Sequence, residues 1–403
     1  MVSKYNKKLI KLKLGDIGST GDTTAIVNSE TINVFGGIPG EIVLAEIIEQ
    51  QRSKRKQKRV FGTVKQIITP SKYRIKTPCD FYGYCTGCNW QHINYQHQLQ
   101  LKQLTLKNEL YKHLNKIIKI EKIIPSDNQF NYRNHGRFSV RRNGQIGFTN
   151  KVTKKFVGIN KCLIMSENIN SHITELDSLV GETSQISIRT GEYTDSFLIQ
   201  PKIKNKKIKM ETGQKSYNEL INKNKFQISS PSFFQVNTPQ ISKMASIINS
   251  LITDISKNIL IDAYAGVGTF GIILKEKFNK IIGIEQSYSA VIDAKQNIKN
   301  IKNYHMVIGN SEEVISTIKP KIDLLLLDPS RKGCDEKLLE NLILNPVKNI
   351  IYISCEPKTL GRDLNLLTQN LRYKIVSVNP IDLFPNTHHV ESITLLKLNK
   401  TNK

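Results

Sequence analysis

Ile351-Tyr352-Ile353-Ser354-Cys355-Glu356-Pro357 is an apolar, strand-like run that carries a cysteine to its carboxyl end. In an open α/β sheet ligands gather outside the carboxyl ends of the strands, so a side chain emerging there faces a ligand rather than the core. Beyond Pro357 the spacing of Leu360, Asp363, Leu364 and Leu367 predicts an amphipathic helix. The partial positive charge at its start favours a thiolate, which predicts a Cys355 pKa drawn down from the free value of about 8.5 toward neutrality. An inert buried thiol is the alternative reading.

The preceding segments repeat the strand-then-polar-terminus pattern. Asn258 to Ile261 reads as an apolar strand ending at Asp262, followed by Tyr264, Gly266, Gly268, Thr269, Phe270 and Gly271. Those glycines permit a tight turn and close approach of backbone to a ligand at the start of a helix. Lys280 to Ile284 is a second strand ending at Glu285, 23 residues after Asp262, where a ribose-binding acid is expected. A third strand, His305 to Ile308, ends near Asn310, and a fourth, Ile322 to Leu327, ends at Asp328-Pro329. Polar termini therefore collect on one rim. The G-x-G-x-x-G spacing equally admits a dinucleotide dehydrogenase, although no second domain follows to carry a hydride acceptor. In Asp328-Pro329-Ser330-Arg331 no aromatic residue follows the proline to stack on a base, which disfavours methylation of an exocyclic amine. A cysteine on the same rim suggests chemistry at carbon.

The 403 residues suffice for two or three domains, and the formal net charge of +25 calls for a polyanionic partner, most simply a nucleic acid. A membrane surface is the rival explanation, and a lysine-rich composition accounts for part of the excess. No apolar span of membrane length and no signal-peptide hydrophobic region is present, so a cytoplasmic protein is expected. Residues up to about Thr69 alternate in short apolar and polar runs broken by Gly36-Gly37 and Pro39-Gly40, which predicts a small all-β module. Arg52, Lys54, Arg55, Lys56, Lys58 and Arg59 form a basic cluster within it, suited either to phosphates or to a solvated loop. Tyr132, Arg133, His135, Arg137, Arg141 and Arg142, and later Lys202, Lys204, Lys206, Lys207 and Lys209, repeat the theme. Aromatic residues among arginines suit stacking on single-stranded bases.

Cys79, Cys85 and Cys88 fall within ten residues, and Cys162 follows at long range. The glycine of Cys85-Thr86-Gly87-Cys88 allows backbone amides to turn toward the sulfurs. Four thiolates suit either zinc or an iron–sulfur cluster. The lopsided spacing, unlike the paired spacings of zinc sites, leans toward [4Fe-4S]. Use of all four cysteines leaves no open iron, so the group is read as structural or RNA-supporting.

These motifs together make the chain resemble the RNA uridine-5 methyltransferases, specifically the iron–sulfur branch that modifies 23S ribosomal RNA. The resemblance rests on Cys79, Cys85, Cys88 and Cys162; on Phe234-Gln235-Val236-Asn237; on Asp262 to Phe270; and on Asp328-Pro329. It rests also on Ser354-Cys355-Glu356-Pro357 with Thr359, Arg362 and Asp363, and on Asp382 to Glu391. Two departures are a glycine-poor amino-terminal region and Ser330 in place of a second proline. The resemblance implies a class I S-adenosylmethionine-dependent methyltransferase fold, a doubly wound sheet, at residues 230–403. It further implies a TRAM/OB-like β-barrel at residues 1–69 and a β-rich iron–sulfur domain at residues 70–229.

Gln235, Tyr264, Gly266, Thr269, Glu285, Asn310 and Asp328 match the family's donor-binding positions. Cys355 then adds to carbon 6 of uracil, and by resemblance Glu391 removes the proton from carbon 5, with His388 and His389 as chemically plausible competitors. Methylation of transfer RNA and a noncatalytic role in ribosome assembly are the alternative functions.

Overall fold

The computed structural model describes residues 8–51, 58–151, 153–318, 321–369 and 372–399. In chain order these form β1 (Lys8–Lys13), β2 (Thr23–Val27), β3 (Glu30–Phe35), β4 (Ile42–Gln51), β5 (Lys58–Thr69) and α1 (Tyr95–Leu114). There follow β6 (His135–Val140), β7 (Ile146–Thr149), β8 (Phe156–Gly158), α2 (Glu167–Leu176), β9 (Gln185–Thr190), β10 (Phe197–Gln200), β11 (Ser216–Ile221) and β12 (Asn224–Ser229). The remainder is α3 (Thr238–Leu251), β13 (Ile259–Ala263), α4 (Thr269–Ile273), β14 (Lys280–Glu285), α5 (Tyr288–Asn297) and β15 (Tyr304–Ile308), then α6 (Ser311–Thr317), β16 (Leu324–Leu327), α7 (Glu336–Leu344), β17 (Asn349–Ser354), α8 (Pro357–Thr368), β18 (Tyr373–Ile381) and β19 (Glu391–Leu398). No helix among the described residues is long and apolar enough to cross a membrane.

The chain divides into two compact units. The first comprises Met1–Thr105, Phe148–Val157 and Phe384–His389. Its five-stranded sheet, ordered β1-β4-β5-β3-β2, is a curled half-barrel. Period-two alternation sends Leu12, Ala25, Ile32, Val34, Val43, Ala45 and Ile47 to one side, where they form its core. Register shifts at Ile42/Val43 and Leu44/Ala45 mark irregularities in the long β4–β5 pair, of the kind that bend a strand. The basic segment Arg52, Lys54, Arg55 and Lys56 lies outside the described residues.

One buried ion pair braces this unit. Glu41 is 1% exposed and accepts from Ile38 N at 2.9 Å, Ser71 N at 3.0 Å and both Arg74 Nε and Nη2 at 2.6 Å. Burial alone would raise its pKa; the Arg74 fork and the two amides reverse this and hold the carboxyl below its ordinary value. A second cluster, Ile38, Trp90, Ile93 and Leu101, packs nearby in the same unit. The segment Phe384–His389 is bonded into it: Asn386 N donates to Gln98 Oε1 at 2.9 Å, and Lys102 Nζ donates to the Phe384 carbonyl at 3.0 Å.

The second unit comprises Leu106–Gly147, Gly158–Leu383 and Val390–Lys403. Strands β10, β9, β6 and β7 lie side by side, and β11–β12 form a hairpin. The main layer is a seven-stranded sheet in the order β15-β14-β13-β16-β17-β19-β18. The first five of these strands run parallel, while β19 is antiparallel to both β17 and β18. Leu324–Leu327 and Asn349–Ser354 are buried throughout, as expected of parallel strands covered on both faces. The parallel strands deliver their carboxyl ends to a single rim, as the alternating pattern predicts.

Replacing Arg74 by alanine leaves Glu41 buried without its cation, a change that costs roughly 3–5 kcal/mol. Trp90, the single tryptophan, is buried in this unit and donates to the Gly21 carbonyl at 2.7 Å, so its fluorescence follows the unit's unfolding. Arg74→Ala is expected to lower the tryptophan-monitored midpoint at pH 7. Because the folded-state pKa of Glu41 lies below the ordinary 4.5, the pair's contribution is present above that pH and is lost as the pH falls below it. A variant with an unchanged midpoint at pH 7 would show that the pair is dispensable.

Candidate active site

The pairing of β17 with β19 sets the geometry. Ser354, the last residue of β17, lies opposite Ser392 in antiparallel register, so Cys355 leaves one strand and Glu391 enters the other at the same end of the pair. Glu391 is near enough to act on the Cys355 thiol. Cys355 is half-buried, whereas Glu391 is 2% exposed.

The electrostatics differ from the sequence expectation. The Cys355 thiol is not drawn toward neutrality but pushed up to about 12, by burial first and then by Glu391 and Asp328, with Arg331 acting in the opposite sense. The start of α8 favours a thiolate, whereas burial and two carboxyl groups act in the opposite direction. Burial and then Asp328 likewise raise Glu391 well above the usual carboxylate range, again opposed by Arg331. Asp328, on the loop after β16, is lifted to about 7 by burial and by Asp262. Burial thus raises every one of these acids, and Arg331 lowers both Cys355 and Glu391.

The neighbouring strand ends carry the remaining expected residues. Asp262 accepts from Gly271 N at 2.9 Å and Tyr304 Oη at 3.0 Å, and burial pushes its carboxyl up to about 6. Tyr264 follows with φ 62°, a left-handed conformation uncommon outside glycine and often found at functional sites. Gly266 has φ 56°, and a Cβ added there would meet no atom within 4 Å, which leaves open space for close approach of a ligand. Thr269 opens α4. Glu285 is half-buried at the end of β14 and accepts from Gly266 N at 2.9 Å and Ser287 N at 2.7 Å. Asn310 occupies the N-cap of α6, yet its side chain makes no capping bond, so ordinary capping does not account for it. Gln235 is half-buried in the loop between β12 and α3. The strand-end residues therefore occupy the rim that the sequence pattern indicates.

The architecture and the sequence both match known proteins. The family model described as tRNA (uracil-5-)-methyltransferase matches residues 197–399. An uncharacterized RNA methyltransferase of Aquifex aeolicus is 30% identical over 434 residues, spanning 97% of this chain and 99% of that protein. Another, from Clostridium tetani, is 29% identical over 453 residues, spanning 98% and 96% respectively. The chain belongs to the tRNA (uracil-5-)-methyltransferase family. Among solved structures it is similar to the Pyrococcus abyssi tRNA (uracil-54, C5)-methyltransferase in complex with S-adenosyl-L-homocysteine. That likeness has TM-score 0.73 at 24% identity and covers 96% of this chain and 99% of that one. The protein is an S-adenosylmethionine-dependent RNA (uracil-5) methyltransferase with a class I fold and an amino-terminal half-barrel. The dehydrogenase reading is set aside.

In this methyltransferase the other sequence expectations fare unevenly. Tyr132 is 1% exposed and belongs to the core, so it is not an RNA-stacking residue. His135 is half-buried, and burial together with Arg189 pushes its pKa down to about 3. Arg137, Arg141, Arg142, Lys202, Lys204, Lys206, Lys207 and Lys209 do stand exposed. His388 and His389, the competing bases, lie in the first unit with ring centroids 4.0 Å apart and planes tilted by 43°, and Asn89 Nδ2 lies 3.0 Å from His388 Nδ1.

Cys79, Cys85, Cys88 and Cys162 are all half-buried. Burial raises the Cys85 pKa, the Gly87 amide lowers it and Cys79 raises it further, so the Cys85-Thr86-Gly87-Cys88 turn does bring an amide to a sulfur. Among the described residues no group of three or more His, Cys, Asp or Glu side chains is placed to hold a metal ion. Sequence reasoning assigned no role to Cys334 and did not single out Arg331. The signal available was the spacing of Thr359, Arg362 and Asp363 on one helical face.

A thiol with a pKa near 12 is almost wholly protonated at neutral pH, and only the thiolate is alkylated. The rate of Cys355 alkylation by iodoacetamide, followed by peptide mass spectrometry on the free enzyme, should therefore rise about tenfold per pH unit between pH 7 and pH 9. A rate already level at pH 7 would reveal a thiolate in the resting enzyme and overturn this electrostatic account.

Proposed function

We propose that this enzyme methylates carbon 5 of a uridine in 23S ribosomal RNA, with Cys355 as nucleophile and Glu391 as base. The observation that carries the residue assignment is the Ser354–Ser392 pairing, which sets Cys355 and Glu391 at the same end of the β17–β19 pair. Carbon 5 of uracil becomes nucleophilic once a group adds at carbon 6. Cys355 loses its proton to solvent and its Sγ–C6 bond forms, while the C5=C6 electron pair moves toward O4 as an enolate. Carbon 5 then takes the methyl group as the sulfonium S–CH3 bond breaks, and S-adenosylhomocysteine departs neutral at sulfur. The Glu391 carboxylate removes the proton from carbon 5, the C5=C6 bond re-forms, and the Cys355 thiolate is expelled. Arg331 supplies positive charge beside both the thiolate and the carboxylate.

Gln235, Tyr264, Gly266, Thr269, Glu285, Asn310 and Asp328 form the donor site in this reading, with Glu285 on the ribose hydroxyls. Each of its oxygens already accepts one amide and retains acceptor capacity. Exposed arginines and lysines neutralise RNA phosphates. Flipping the uridine out of its stack costs a few kcal/mol, which those contacts offset. Cys79, Cys85, Cys88 and Cys162 hold a structural [4Fe-4S] cluster in this reading; the half-buried thiols and the Gly87 amide at Cys85 support it. Anaerobic reconstitution should yield iron and acid-labile sulfide in equal amounts with visible absorption. Zinc without sulfide would replace the cluster with a zinc site.

Transfer RNA is the second substrate reading, favoured by the names of the family model and of the Pyrococcus abyssi enzyme. Mapping 5-methyluridine by mass spectrometry in cells with and without this protein separates the two: loss at one 23S position supports the first, loss in transfer RNA the second. For the residues, Cys355→Ala should abolish methyl transfer while leaving RNA binding. Glu391→Gln should accumulate RNA covalently joined to protein after methylation, visible as a shifted band on a denaturing gel. Normal turnover by Cys355→Ala would sink the mechanism.

A further inference from the structure

The loop that follows Asp328-Pro329 is tied to the helix that follows Cys355 by a dense set of bonds. Thr359, Arg362 and Asp363 lie on one face of α8 at i, i+3 and i+4. Thr359 Oγ1 donates to the Arg331 carbonyl at 3.2 Å, and Arg362 Nη2 donates to the Lys332 and Cys334 carbonyls at 3.0 and 3.1 Å. The Asp363 carboxylate accepts from Cys334 N at 2.8 Å and Tyr352 Oη at 2.6 Å through Oδ2, and from Arg362 Nε at 2.7 Å through Oδ1. Asp363 and Tyr352 are each 0% exposed, and Cys334 is 4% exposed. Cys334 also shares side-chain hydrogen bonds with Tyr352 and Tyr264. At Gly333, with φ 78°, a Cβ would lie 2.5 Å from Asp363 Oδ2 and 2.7 Å from Arg362 Nη2, so the clamp closes only over glycine.

We propose that Thr359, Arg362 and Asp363 are positioning residues that clamp the Arg331–Cys334 loop to the helix starting beside Cys355, and so hold Arg331 in place for the methyl-transfer reaction. Three successive anchor points, at the backbone of residues 331, 332 and 334, fix the loop in register with α8. The guanidinium of Arg331, itself exposed, is thereby carried on a rigid support rather than on a free surface turn. The inference deepens the proposed mechanism and rests on its placement of the reaction at Cys355.

A double-mutant cycle tests it. Arg362 is half-exposed, so Arg362→Gln should fold, with an unfolding midpoint close to wild type and a dissociation constant for S-adenosylmethionine within about twofold. Its single-turnover methyl-transfer rate at saturating RNA should fall at least about tenfold, with the KM for RNA little changed. Arg331→Ala should show a similar loss, and Arg331→Ala combined with Arg362→Gln should be no slower than Arg331→Ala alone, because the clamp acts through Arg331. Losses that multiply, or an Arg362→Gln rate equal to wild type, overturn the proposal, as does a loss confined to donor affinity. Thr359→Val, combined with Arg331→Ala, should repeat the pattern of Arg362→Gln. Trapping of wild-type enzyme on 5-fluorouridine RNA tests the mechanism separately: without a proton at carbon 5 the Cys355 adduct cannot be released. Absence of that adduct removes the nucleophile assignment, while the rates measured in the cycle still decide whether the clamp acts through Arg331.

Discussion

The site depends on one antiparallel strand inserted beside a run of parallel ones. Were β19 parallel to β17, its first residue would lie at the opposite edge of the sheet from Cys355. Because it runs the other way, the carboxyl end of one strand meets the amino end of the other, and Cys355 and Glu391 flank the Ser354–Ser392 pair at one rim. Strand pairing is a stiff constraint, since a slip of one residue would turn Glu391 to the opposite face of the sheet. Strand β19 is paired on both sides, with β17 and β18, so a slip would have to break both ladders at once.

Legibility in the sequence follows from the range of the interactions involved. Strand ends at Asp262, Glu285, Asn310 and Asp328, the glycine turn and the helix after Pro357 are local patterns, and the fold places all of them where the pattern indicates. The ionisation of Cys355 was not legible because its determinants are remote in sequence: Glu391 arrives through β19, and Asp328 and Arg331 arrive through the loop after β16. A helix start is visible in the chain, whereas carboxyl groups brought in by sheet topology are not. Tyr132 fails for a similar reason. Its neighbours Arg133, His135 and Arg137 give it the company of an RNA-binding residue, yet burial is decided by packing that composition does not encode. The clamp on the loop after Asp328 was half legible: Thr359, Arg362 and Asp363 have helical spacing, but their partners are backbone atoms, which carry no sequence signature.

The electrostatics of the rim bear on the order of events. Cys355, Glu391, Asp328 and Asp262 all have pKa values raised by burial, and two of the three carboxyl groups act on the thiol. Such a group resists ionisation one member at a time, because each new negative charge raises the cost of the next. The proposed donor carries a sulfonium, and a fixed positive charge placed among these acids favours their ionised forms, including the thiolate. Linkage makes this reciprocal: if the donor favours the ionised rim, the ionised rim binds the donor more tightly. In the proposed mechanism a bound sulfonium therefore favours the Cys355 thiolate in the complex that uses it. Arg331 works in the same sense from a fixed position on the clamped loop, which is why its placement matters more than its exposure suggests. The two cations differ in one respect. In the proposed mechanism the sulfonium loses its charge when the methyl group leaves, whereas the Arg331 guanidinium persists and still favours the carboxylate form of Glu391, the base proposed for carbon 5.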